Sequence, residues 1–274
     1  MASDSPATAV ASRRFDHLSA PAAQAQARRP GSTVVWPFGA VEQHGPHLPL
    51  ATDGLFAERV LDGCLAGLDD ALPIWRLPLQ SFGFSPEHGA FAGTLTVPAE
   101  LILDLVQAVG LGLAATGVSR LLLFNGHGGQ IALLEVAARR LRAAAPQMAV
   151  LPCFLWRGAD RLAELIPEPE WSQGLHAGLA ETSLMLHQAP GLVGALPAAD
   201  GLAAAAAPPE GWSLEGPLPC AWLTHDLSAS GVIGDPSQAS AELGSALEQR
   251  LVEGWRNRLQ VLMDSCWPPN AAPR

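Results

Sequence analysis

Lysine is absent from this 274-residue chain. A glycine-rich phosphate cradle closed by a lysine therefore has no counterpart in it. Cysteine is scarce: Cys64, Cys153, Cys220 and Cys266 stand far apart and form no C-x-x-C pair. That pattern points away from a disulfide scaffold and to reduced, mostly buried thiols in a cytoplasmic protein. Charged residues make up only 15% of the chain and the formal net charge is −10. No positive patch is available to displace counterions, so nucleic acid is not an expected partner. Long apolar runs are missing as well, and no membrane span is expected. Arg13 and Arg14 are not followed by the apolar core that a signal peptide needs.

What the chain does have is alternation. "STVVWPF" (32–38), "ALPIWRLPL" (71–79), "SRLLLF" (119–124) and "QMAVLPCFL" (147–155) are short apolar runs that read as strands. Between them lie segments with helical spacing. One starts near Thr52 or Asp53, one is opened by Pro98 and closed by Gly117, and one is "IALLEVAARRLRAAA". "HAGLAETSLML" reads as the start of a further helix with His176 and Glu181 in its first two turns, and a C-terminal helix is expected from Pro236. Strands alternating with helices predict an α/β fold, three layers α/β/α around a mostly parallel central sheet. Residues 1–30 read as a tail and short helix, 31–268 as one catalytic domain and 269–274 as a second tail. The Ala-, Pro- and Gly-rich stretch 189–220 reads as a surface excursion.

The polar residues are not spread evenly. "WPFGAVEQHGPHLPLATDG" (36–54) crowds Glu42, His44, His47 and Asp53 into one loop and helix start, and "NGHGGQ" offers His127 after another strand. In open α/β sheets ligands bind beyond the carboxyl ends of the strands, so both stretches reach one edge. Glu42 and His44 are two apart and project to one side of an extended backbone. Glu, His and Asp donors suit Zn²⁺, Mn²⁺ or Fe²⁺, and a carboxylate can bridge two such ions. Singly, each motif has a plainer explanation. "NGHGG" could be a turn or an anion nest, and His17, His187 and His225 read as ordinary hydrogen-bonded histidines.

Together, "PFGAVEQHGPHLPLATD", "FNGHGGQ", "HAGLAETS" and "GVIGDPSQAS" resemble the creatininase family of metal-dependent amidohydrolases, in order from about residue 32 to 262. The resemblance implies a creatininase-like α/β/α subunit, a homo-oligomer (a hexamer), and two divalent metal ions per subunit, Zn²⁺ first and Mn²⁺ or Fe²⁺ as alternatives. It implies that Glu42, Asp53 and His127 hold one ion, that His44, Asp53 and Glu181 hold the other, and that His176 transfers a proton. The loop "FGFSPEH" is similar to the family's substrate loop, which would put Ser85 near the substrate, with Gly128 on the pocket wall. For Ser85 and His47 a purely structural role stands beside the functional one. Family enzymes acting on creatinine itself carry an aromatic residue and a glutamate after the "NGH", where this chain has Gly128 and Gly129.

The expected activity is hydrolysis of a cyclic or other non-peptide amide C–N bond of a small molecule, by a hydroxide shared between the two ions. The glycine pair is shared with relatives that hydrolyse formamides or trim a precursor peptide, so a peptidase is the alternative, followed by a non-catalytic metal-binding protein. Trp156, Trp171, Trp212 and Trp222 either line or lid the pocket or simply pack.

Overall fold

The computed structural model describes residues 13–201, 207–216 and 218–268. The expected tails 1–12 and 269–274, and part of the 189–220 excursion, lie outside them. Helix α1 (Ala20–Ala27) precedes strand β1 (Thr33–Phe38). Then come α2 (Thr52–Ala66), β2 (Ile74–Arg76), α3 (Ala99–Thr116), β3 (Arg120–Asn125), α4 (Ile131–Ala144) and β4 (Ala149–Phe154). The second half holds the short α5 (Glu170–Gln173), α6 (Leu179–Gln188), the short α7 (Thr224–Leu227) and α8 (Ala241–Asp264).

The four strands form one sheet in the order β2-β1-β3-β4, every pair parallel. Strand side chains alternate between faces, and here each face meets its own core. Val34, Trp36 and Phe38 of β1 and Leu121 and Leu123 of β3 pack with Ile102 and Val106 of α3 and Leu134 and Leu141 of α4. Val35, Leu122 and Phe124 face the other way, onto Phe56 and Val60 of α2, Leu184 of α6 and Leu247, Leu251 and Trp255 of α8. The sheet is thus covered by helices on both sides, the three-layer arrangement expected.

Most boundaries follow from local chemistry. Pro98 stands at the N-cap of α3, and Gly117 ends the helix with φ 111°, a left-handed conformation that costs a residue with a β-carbon. By length and composition α3 could cross a membrane, with a mean hydropathy of 1.5. In the fold its Ile102, Val106, Gly110 and Leu113 are core residues, while Leu101 and Leu111 are exposed on its outer face. Two expectations need correction. His176 lies before α6, not in its first turns: its backbone pairs with Ile233 in an isolated antiparallel bridge, and the helix begins at Leu179. Pro236 opens only a 3₁₀ turn, and α8 starts after Ser240, whose hydroxyl accepts from Leu243 N–H.

Candidate metal centre and its cavity

Because all strands run parallel, the loops after β1, β2, β3 and β4 leave the same edge of the sheet. The loop after β1 carries Glu42 and His44, that after β2 carries Glu87 and His88, and His127 follows β3. Asp53 joins them from the first turn of α2, and two glycines make that approach possible. A β-carbon at Gly39 would lie 2.6 Å from the backbone nitrogen of Gly54, and one at Gly126 would lie 2.4 Å from the carbonyl oxygen of Asp53. The start of α2 is wedged against the ends of β1 and β3, and any larger residue would push it away.

The donors converge. Glu42 Oε1 is 3.1 Å from His127 Nδ1, Asp53 Oδ2 is 3.5 Å from the same nitrogen, and Asp53 Oδ1 is 3.3 Å from His44 Nε2. Glu42, Asp53 and His127 form one group of donor atoms lying within 4.8 Å of one another, and His44, His176 and Glu181 form a second. A third combines Glu42, His88 and His176. All the histidines and carboxylates of the first group are buried, yet Glu42 Oε2 and Asp53 Oδ2 have no hydrogen-bond partner. Buried carboxylate oxygens are ordinarily satisfied, so orphaned ones aimed among imidazoles fit a cation.

Each ring is also tied from behind. His44 Nδ1 donates to Glu42 O at 3.2 Å, His127 Nε2 to Phe84 O at 3.0 Å and His176 Nε2 to Gln43 O at 2.7 Å. Carbonyls that accept these protons fix the tautomers and leave His44 Nε2 and His127 Nδ1 facing the carboxylates. Glu181 accepts from Ala177 N–H with Oε2 at 2.7 Å, which leaves Oε1 available. His47 Nε2 is 2.7 Å from Thr182 Oγ1, so the first loop is pinned to the helix that carries Glu181. Nitrogen and carboxylate oxygen donors in this number suit Zn²⁺, Mn²⁺ or Fe²⁺.

The site gathers buried groups of both charge signs. Burial pushes Glu42 and Glu181 up to about 7, only partly offset by the His127 and His44 cations respectively. Burial works against protonated His44 and His127 too, but contacts with Asp53 and Glu42 win and raise them to about 9 and about 10. Asp53 sits between these two rings. Burial alone would raise it, and the two imidazoliums instead hold it below the usual carboxylate range. His176 stacks between His44 and His88, with ring centres 4.3 and 4.1 Å away. Burial, then its neighbours' charge, pushes it well below 6.5. The His176 ring is thereby held in its neutral form.

A cavity of about 760 Å³ opens over these groups. Gly128 lines it as expected, and so do Trp156, Trp171 and Trp222, whereas Trp212 does not. Ser85 is fully buried, off the cavity wall, with an unpartnered hydroxyl. Its neighbours Glu87 and His88 make that wall instead. The loop expected at the substrate does reach the cavity, but through Glu87 and His88 and not through Ser85, because spacing alone does not say which residue beside a 3₁₀ turn faces inward. His88 Nδ1 lies 2.8 Å from both Thr224 Oγ1 and Gln43 Nε2. Glu87 reaches over Gly129: a β-carbon there would lie 1.8 Å from Glu87 Oε1, which is itself 3.5 Å from His127 Nε2.

Residues 16–259 match the family model described as creatinine amidohydrolase. The chain belongs to the creatininase family. It is a hydrolase of that family, and its curated relatives include the mycofactocin precursor peptide peptidase of Mycobacterium ulcerans (strain Agy99), 34% identical over 83% of this chain and 84% of the relative. The creatinine amidohydrolase of Pseudomonas putida is 28% identical over 58% of this chain and 65% of its own. Among solved structures, a creatininase superposes with a TM-score of 0.74 at 24% identity, covering 92% of this chain and 98% of the other. A manganese form of creatininase gives 0.74 at 23%, covering 92% and 99%. At these identities the structural likeness speaks for the creatininase fold alone.

Proposed function

We propose that this creatininase-family member hydrolyses an amide C–N bond using two divalent cations, Zn²⁺ first and Mn²⁺ or Fe²⁺ as alternatives. Glu42, Asp53 and His127 would hold one, and His44, Asp53 and Glu181 the other. The observation that carries this reading is Asp53, whose two oxygens face His44 and His127 separately while one remains unsatisfied in a buried site. When bound, such a pair polarises a carbonyl and makes water acidic enough to act as a nucleophile near neutral pH. His176 supplies the proton path. Its Nε2–H is engaged by Gln43 O, and its remaining nitrogen takes a proton from the attacking water and delivers it to the departing amine. A neutral ring is the right starting state for that first transfer.

As for substrate, the cavity favours the peptide alternative over a small cyclic amide. About 760 Å³ walled by three tryptophans is a space suited to drug-sized or larger ligands. The peptidases among the relatives support the same choice. Copies are proposed to associate, as a hexamer, through the outer face of α3, where Leu101 is 54% and Leu111 39% exposed. The test is metal quantification on purified protein, followed by chelator-sensitive turnover of a panel of lactams, formamides and short peptides. The expected result is two ions per chain and metal-dependent cleavage of a peptide. Two ions bound with no turnover of any panel member would favour a non-catalytic metal-binding protein, and no bound ions would overturn the reading.

A further inference from the structure

Glu170 belongs to no motif, yet three glycines from separate turns of chain are shaped around its carboxylate. A β-carbon at Gly174 would lie 2.5 Å from Glu170 Oε2, one at Gly178 2.6 Å from the same oxygen, and one at Gly234 2.9 Å from Oε1. Glu170 is 8% exposed and its carboxylate spans two elements. Oε2 accepts from Leu179 N–H at 2.9 Å, and Oε1 accepts from Asp235 N–H. Leu179 is the first residue of α6, whose N-cap Gly178 has no side chain to satisfy the helix's free N–H groups. Glu170 does that from outside the helix, and its negative charge also suits the positive helix end.

The second partner matters as much. Asp235 closes the segment 231–235, which pairs with the backbone of His176: Ile233 N donates to His176 O at 2.8 Å, and His176 N donates to Ile233 O at 3.1 Å. The same segment meets the first metal loop, since Gln43 Nε2 donates to Gly231 O at 3.1 Å and Gln43 O accepts from His176. One carboxylate thus fixes the start of the helix bearing Glu181 to the segment that braces His176 and the His44 loop. The side chains of Glu42 and His127 take part in none of these bonds.

We propose that Glu170 is a positioning residue for one half of the metal centre, setting Glu181 and His176 against His44 through its clamp on Leu179 and Asp235. This rests on the reading of His44, Asp53 and Glu181 as ligands. The experiment is a Co²⁺ titration of full-length metal-free protein, followed by absorbance, for wild type, Glu170→Gln and Gly178→Ala. The first variant sets an amide N–H against an N–H donor, and the second pushes the carboxylate off its seat without removing it. Both should weaken one of two Co²⁺ steps by about 10–100-fold, the usual effect of losing a partner behind a ligand, and spare the other. Amide hydrogen exchange at residues 179 and 235 in metal-free protein should be slow in wild type and faster in both variants. Unchanged titrations, or equal weakening of both steps together with general loss of exchange protection, would overturn the proposal. A wild type that takes up one ion would refute the two-ion reading instead, and unaltered exchange at residues 179 and 235 in the variants would then refute the clamp separately.

Discussion

Asp53→Asn is the substitution that separates a shared ligand from an ordinary one. The amide keeps the shape of the carboxylate, so the wedge between Gly39 and Gly126 is undisturbed and the metal-free fold should survive. What changes is the charge between His44 Nε2 at 3.3 Å and His127 Nδ1 at 3.5 Å. At an effective dielectric constant of about 20, each unit-charge contact at those distances amounts to roughly 5 kcal/mol before desolvation is subtracted. The rings respond by losing protons, which limits the damage in the metal-free protein. Cation binding has no such escape. With free metal at 100 times the dissociation constant, each site adds about 2.7 kcal/mol to stability, so two sites add about 5.4 kcal/mol. For a chain of this size that is a rise of roughly 10–20 °C in melting temperature. Wild type should show the full rise on adding Zn²⁺, Glu181→Gln about half, and Asp53→Asn almost none. Differential scanning calorimetry with parallel metal analysis reads all three. An Asp53→Asn protein that still binds one ion, as Glu181→Gln does, would refute the idea of a carboxylate common to both.

Two further outcomes follow from the same site. Folded-state values of about 9 for His44 and about 10 for His127 lie above their unfolded 6.5, so the folded metal-free protein holds more protons between pH 7 and 9. Their stabilisation is complete below 6.5 and is lost as pH climbs, so the metal-free melting temperature should fall from pH 7 to 9 while proton release accompanies metal binding; calorimetry in buffers of differing ionisation enthalpy measures both, and a flat profile would count against protonated rings. Gly129→Ala and Gly126→Ala should diverge. The first meets two side-chain ends, the carboxylate of Glu87 and, at 2.7 Å, Nε2 of His127, so it should disturb a proposed ligand ring and drop kcat/KM at least tenfold while stability falls by about 1 kcal/mol; the second meets Asp53 backbone and should cost about 1–3 kcal/mol in denaturant unfolding.

The layered fold was legible because β1 and β3 are apolar on both faces and are separated by helices with their own stops at Pro98 and Gly117. The convergence of Glu42, His44 and His127 was legible for a related reason: they follow β1 and β3 in a parallel sheet, where loops must share an edge, whereas Asp53 and Glu181 stand in the first turns of helices and were singled out as partners through the family resemblance. Two kinds of residue escaped. His88 and Glu87 sit in a 3₁₀ turn whose inward face depends on how the loop after β2 folds over Gly129, a tertiary matter. Glu170 escaped because its partners are backbone N–H groups 9 and 65 residues away, and a carboxylate bound to backbone leaves no pairing pattern in sequence. His176 was found but placed on a helix, since its pairing with Ile233 is likewise long-range.

The division of labour between carboxylates and imidazoles has its own logic. Glu42, Asp53 and Glu181 bring three negative charges, while His44 and His127 are neutral as ligands. If two divalent cations sit among them as proposed, three carboxylates would leave the centre one positive charge before a water is ionised, which is the sign needed to steady an oxyanion developing on an amide carbonyl. A fourth carboxylate in place of either histidine would cancel it. Burial makes the residual charge count, since the side chains of His44, Asp53 and His127 are no more than 3% exposed. Burial favours protons on Glu42 and Glu181, while the neighbouring carboxylates Asp53 and Glu42 favour them on His44 and His127, so that hydrogen ions occupy the role the cations would fill. Loading and protonation therefore compete for one set of atoms, so cation uptake by the metal-free protein should weaken as pH falls, which a Zn²⁺ titration repeated across pH would read.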